Sequence, residues 1–214
     1  MPNLFDQNVG QPNDVRDFNS DSVSTGVVKG RYTEGSQYNA GAGDDTVILA
    51  GTLKRAAISG YKVGTLFQGG AGNDTITGLG LNDFVIGGEG HDVITAGGGI
   101  DKIAGGIGND TLLGGDATEA VLAGNDSFMG GAGNDTVQGG AGNDVIHGDL
   151  DYAADNKTLV QITTGDTSDV LSGGAGDDKV FGGAGSDTID GGAGKDVLVG
   201  GTNNLVFDAA DAAD

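Results

Sequence analysis

The chain has 214 residues, with 45 Gly, 28 Asp, only 3 Glu, no Cys, no Trp and a formal charge of −21. Aromatic residues at 5% cannot fill one core of this length, and the lack of Cys excludes disulfides, thiolate metal sites and Cys nucleophiles. Such an acidic surface repels nucleic acid and anionic lipid, and no apolar run approaches the ~20 residues that span a bilayer, so neither nucleic-acid binding nor membrane insertion is expected.

In chain order, residues 1–39 are polar and without repeats, and read as a leader or cap. Their start, MPNLFDQNVGQPND, has neither a basic n-region nor an apolar h-region, which predicts no cleaved N-terminal signal. Residues 40–68 hold one isolated repeat, AGAGDDTVI at 40–48, followed by β-prone runs that suit a cap for a repeat array. From 69 to 201 glycine pairs or close variants recur every nine residues, at 69, 78, 87, 96, 105 and 114, again at 130, 139 and 148, and again at 173, 182, 191 and 200. Insertions at 117–123 and about 150–165 account for the two breaks in register. Residues 202–214 form a short tail.

Each row has the form of GGAGNDTIT (69–77) or GGAGSDTID (182–190). Glycine at positions 1, 2 and 4 allows tight turns, and Asn at position 5 tolerates the left-handed region. Position 6 is Asp, and position 8 is always aliphatic or Phe. A three-residue strand over positions 7 to 9 turns its middle side chain inward and its neighbours outward. A six-residue turn then follows. Glycine density and the nine-residue punctuation leave no room for a helix in the array.

These rows resemble the RTX (repeats-in-toxin) calcium-binding nonapeptide repeat, GGxGxDxUx. The resemblance implies an all-β fold, a right-handed parallel β-roll (a β-solenoid) with calcium in stacked turns and two rows to each 18-residue coil. Stacking then brings Asp onto Asp, an arrangement of like charges that needs a cation. The carboxylates concerned are Asp74, Asp83, Asp92, Asp101, Asp110, Asp126, Asp135, Asp144, Asp178, Asp187 and Asp196. In the family pattern, carbonyls 2 and 4 and the Asp of one turn face carbonyls 1 and 3 and the Asp of the turn one coil later. Carried over, this gives Gly70, Gly72 and Asp74 with Gly87, Glu89 and Asp92. The next step has Gly88, Gly90 and Asp92 with Gly105, Ile107 and Asp110. Further steps have Gly106, Gly108 and Asp110 with Gly130, Ala132 and Asp135, and Gly174, Gly176 and Asp178 with Gly191, Ala193 and Asp196. Row 78–86 carries Leu79 and Leu81 in glycine positions, which weakens its claim to a site. Asp149, Asp151 and Asp155 in the second insertion are read as a solvated loop, with a local site as the alternative.

Within 69–201 there are 21 acidic side chains against 4 basic ones, and on the order of ten Ca²⁺ ions would nearly cancel the charge of the whole chain. No enzyme is expected: there is no HExxH or GxSxG, and His91 and His147 are read as solvated. The family resemblance implies a secreted protein exported by a type I route, although the tail is short for the usual export signal. Two functions stay open, a free-standing calcium-folded roll with a structural, adhesive or interaction role, and an accessory module for polysaccharide binding or secretion. The two outward faces should differ. One is rich in Thr, whereas Phe84, Ile86, Phe181, Val197 and Val199 make the other apolar. That face is either covered by the insertions or the N-terminal segment, or free for self-association or a protein or polysaccharide partner.

Overall fold

The computed structural model describes residues 15–17, 38–49, 64, 66–115, 124–152, 158–161, 167–201 and 205–207. Every regular element among them is a strand. In order these are β1 (Val15–Asp17), β2 (Tyr38–Ala42), β3 (Thr46–Ile48), β4 (Leu66–Ala71), β5 (Thr75–Thr77), β6 (Phe84–Glu89) and β7 (Val93–Thr95). Next come β8 (Lys102–Ile107), β9 (Thr111–Leu113), β10 (Ser127–Ala132), β11 (Thr136–Ala141), β12 (Val145–His147), β13 (Leu150–Tyr152) and β14 (Leu159–Gln161). The last five are β15 (Val170–Ala175), β16 (Lys179–Gly183), β17 (Thr188–Ala193), β18 (Val197–Gly201) and β19 (Leu205–Phe207).

Successive rows alternate between two parallel sheets, β1-β3-β5-β7-β9-β11-β15-β17-β19 and β2-β4-β6-β8-β10-β12-β16-β18. This is the expected parallel β-roll. Each row sends one side chain inward, and these form two files. Val47, Ile76, Ile94, Leu112, Val137, Leu171 and Ile189 line one sheet, and Phe67, Val85, Ile103, Phe128, Ile146 and Val180 line the other, all 0–1% exposed. The core is one residue wide per strand, so burial is shared evenly along the axis and each coil depends on its neighbours.

Two features depart from the sequence reading, and a third decides in part between the alternatives it left open. First, many strands are six residues long and run from position 7 through position 3 of the following turn, as in Phe84–Glu89. Glycine at positions 1 and 2 carries no Cβ, so adjacent backbones approach closely enough to pair, as Gly70 does with Gly88 and Gly88 with Gly106. A Cβ on Gly88, whose φ is +126°, would strike the Gly70 carbonyl. Second, pairing extends beyond 69–201 on both sides: β1 lies on β3, and β19 lies on β17.

Third, part of the apolar outer face is covered. In the second insertion β13 and β14 form an antiparallel hairpin. It lies against β8 and β10 and packs Leu150 on the cluster of Leu66, Ile86, Ala104 and Met129. Ile86 is buried there and Phe84 is half-buried against the same cluster, so these two leave the expected partner surface. Val197 and Val199 remain 51% and 47% exposed. Phe181 is half-buried and stacks on His147 at 4.6 Å. His147 is thus a packed side chain rather than a solvated one, and its burial lowers its pKa.

The two kinds of strand position should respond differently to truncation. Phe128→Ala is expected to cost about 3–5 kcal/mol, and Val197→Ala less than about 0.5 kcal/mol, in denaturant unfolding in calcium buffer.

Candidate metal centres in the stacked turns

Parallel stacking leaves the N–H of each turn's sixth residue facing the next coil, and the Asp one coil later accepts from it. In one column the amides of Asp45, Asp74, Asp92, Asp110, Asp135 and Asp169 donate to Oδ1 of Asp74, Asp92, Asp110, Asp135, Asp169 and Asp187, at 2.8–3.0 Å. In the other, the amides of Asp83, Asp101, Asp126, Asp144 and Asp178 donate to Asp101, Asp126, Asp144, Asp178 and Asp196, at 2.7–2.8 Å. The fifth position makes a second ladder in the opposite sense. Asn73 Oδ1 accepts from His91 N at 2.8 Å, and His91 Nδ1 accepts from Asn109 N at 2.7 Å. His91 is therefore a backbone acceptor and not a free surface group.

The second carboxylate oxygen has a different fate. Oδ2 of Asp74, Asp92, Asp101, Asp110, Asp135, Asp144, Asp169 and Asp178 is buried without a hydrogen bond, and so is that of Asp196 at the end of its column. A buried carboxylate oxygen with no donor is costly unless a cation faces it. For Asp74 this atom lies where position 1 of its own turn approaches position 1 of the next: a Cβ on Gly69 would meet both Asp74 Oδ2 and the Gly87 carbonyl. Gly87 bears the same relation to Asp92 and Gly105, Gly105 to Asp110 and Gly130, and Gly173 to Asp178 and Gly191.

The carried-over carbonyls fall into two groups. Those of Gly70, Gly72, Gly88, Gly90, Gly106, Gly108, Gly174 and Gly176 face the coil above. Those of Glu89, Ile107, Ala132 and Ala193 face the coil below, where each accepts a turn amide at 2.7–2.8 Å. An interior Asp borders two steps, with Oδ1 on the lower one and Oδ2 towards the upper one. Among the described residues no three carboxylate, imidazole or thiol groups converge on one point. A regular step instead offers two carboxylates and backbone carbonyls, an oxygen-only set that suits Ca²⁺ and not softer metals.

Without a cation these groups resist ionisation. Burial, with neighbouring carboxylates adding to it, raises Asp74 to about 7, Asp101 and Asp135 to about 8 and Asp169 to about 7. Burial is again the main cause for Asp92, Asp110, Asp126, Asp144 and Asp178, raised to about 6.

Row 78–86 keeps its place in the ladder despite Leu79 and Leu81: Asp83 is buried, and Gly78 approaches its Oδ2 as well as the Ala96 carbonyl. Leu81 packs against the core. Three acidic residues join the stack that the repeat pattern did not single out. Asp45 belongs to the isolated row 40–48. Asp169 takes position 6, two residues before the inward Leu171, in a row whose glycine pair is missing. Asp149 is buried in the second insertion. Asp151 is half-buried and its charge is felt at Asp110. Asp155 lies outside the described residues.

The family model of the RTX calcium-binding nonapeptide repeat matches in four copies, at 66–94, 86–117, 122–152 and 163–204. No curated protein matches the chain.

Two measurements follow from the ladders. The folded metal-free roll holds raised carboxylate pKa values, so their contribution to stability is complete below about 4 and is lost as pH rises through about 6 to 8. Circular dichroism in chelator should accordingly gain strand signal on acidification, and the calcium needed for half-saturation should rise as pH falls from 8 to 6. Asp92→Ala removes a group bordering two steps and should lower metal stoichiometry by about two in native mass spectrometry, against at most about one for Asp155→Ala.

Proposed function

Because the chain belongs to the RTX calcium-binding nonapeptide repeat family, we propose that it is a secreted, non-enzymatic β-roll that folds on meeting extracellular calcium. It is a calcium-binding β-roll protein by its repeats. The observation that carries the calcium-dependent folding is the file of buried Asp Oδ2 atoms without donors, a folded state that is incomplete without cations. Six ladder steps in one column and five in the other favour about ten ions. Ten divalent ions would nearly neutralise the formal charge of −21. With few aromatics and this much like charge, the metal-free chain at neutral pH falls in the compositional range of unfolded chains. Calcium affinities in the extracellular range of ~10⁻⁴–10⁻³ M would keep it unfolded inside the cell and fold it outside.

A second reading is an accessory module that engages a protein or polysaccharide. The exposed Val197 and Val199 beside the His147–Phe181 stack favour it.

A calcium titration followed by circular dichroism tests the main reading. Strand signal should rise cooperatively with calcium and vanish in excess chelator at pH 7.5. Native strand content persisting in chelator at that pH would overturn it.

A further inference from the structure

The second insertion leaves the stack from inside a turn. Gly148 opens the row and Asp169 closes it: Gly148 lies against Asp169 Oδ2 and the Gly182 carbonyl, as Gly69 lies against Asp74 and Gly87. Position 2 of this row is Asp149, where regular rows have glycine. In those rows the position 2 carbonyl faces position 2 of the next coil, as Gly70 faces Gly88 and Gly174 faces Gly192. Opposite Gly183 stands the Asp149 carboxylate instead. Asp149 is 1% exposed, and its Oδ2 accepts from Ala184 N at 2.5 Å. Thr167, at position 4, donates its hydroxyl to the Ala184 carbonyl at 2.8 Å and so ties the returning chain to the same turn.

We propose that the step between this turn and the turn of Asp187 is a calcium site of a different kind, bordered by the three carboxylates Asp149, Asp169 and Asp187, which fills first and pins the β13–β14 hairpin. The proposal rests on the calcium-dependent folding proposed above. A separate observation points to an ion here: Asp169, 1% exposed, keeps Oδ2 buried without a hydrogen bond beside the Gly182 carbonyl. Asp169 N donates to Asp187 Oδ1 at 3.0 Å, so the ladder is continuous across the step. The charges of Asp149 and Asp187 are both felt at Asp169. Regular steps have two carboxylates, whereas three border this one without already converging on one point, and calcium affinity rises with the number of ligand charges around a site. Asp149 directly precedes Leu150, the residue that holds the hairpin on Leu66, Ile86, Ala104 and Met129. An ion at this step therefore fixes the root of the hairpin.

Native mass spectrometry and amide hydrogen exchange on the full chain, across a calcium titration, test the proposal. The variants are D149N, D149G, which restores the regular motif residue, and D190N, an equal charge loss on the outward strand face. In the wild type, the first ion and protection of the two hairpin strands should arrive together at about tenfold lower calcium than the rest of the array. D149N and D149G should both raise that first step to the calcium level of the remaining sites, and D190N should leave it in place. Circular dichroism at saturating calcium reports whether each variant keeps the roll. A first step unchanged in both Asp149 variants, or hairpin protection in the wild type arising only with the whole array, would overturn the proposal. A wild type that takes up no calcium would overturn the folding reading and this proposal with it.

Discussion

Carboxylates stacked one coil apart, buried and facing the same narrow step, are the constraint from which the rest of the molecule follows. One oxygen of each can be satisfied by a backbone amide, and the ladders do this at every step among the described residues. In Asp74, Asp92, Asp101, Asp110, Asp135, Asp144, Asp169 and Asp178 the other oxygen is buried without a donor, and burial holds the ionised form at a disadvantage. A solenoid with one inward aliphatic per row has little apolar area with which to offset that cost. The turns are therefore both the weakest part of the metal-free fold and the place where cations contribute most to it.

The two ladders also make the coils interdependent. Position 5 accepts from the coil above while position 6 accepts from the coil below, so each turn is tied in both directions. Bonds of this kind form only once the neighbouring coil is in place, which suits folding by propagation along the axis. The six-residue strands add to the coupling, because glycine at the turn lets backbone pairing continue where side chains would otherwise hold the coils apart.

Most of the architecture was legible from spacing. With a nine-residue period and two rows per coil, the partition of Asp74, Asp92 and Asp110 from Asp83 and Asp101 is fixed before any coordinates are known, and the inward files follow from position 8. Other parts were hidden for physical reasons. Glycine is a poor strand former, so positions 1 to 3 read as turn even though they pair. Asp169 lost the glycine pair that marks its row, and only its spacing to Leu171 remains. Val15–Asp17 and Leu205–Phe207 carry no repeat, and their pairing depends on the sheet they meet rather than on their own pattern. The covering of Ile86 needs the antiparallel pair of Leu150–Tyr152 and Leu159–Gln161, which the parallel repeat does not announce.

That hairpin has a consequence for how the chain finds its alignment. Rows as alike as GGAGDDKVF (173–181) and GGAGKDVLV (191–199) can exchange places by one whole coil with almost no loss of inward packing, since Ile, Val and Leu substitute freely along each file. A stack of interchangeable rungs has many near-degenerate arrangements, a rough landscape with no unique minimum. Leu150 fits only one place, above Met129, Ala104, Ile86 and Leu66, where the outer face happens to be apolar. A slip of one coil would move it off one of the two strands, β8 and β10, that it lies against. The insertion thus works as an index mark on an otherwise periodic rod and selects one alignment among many.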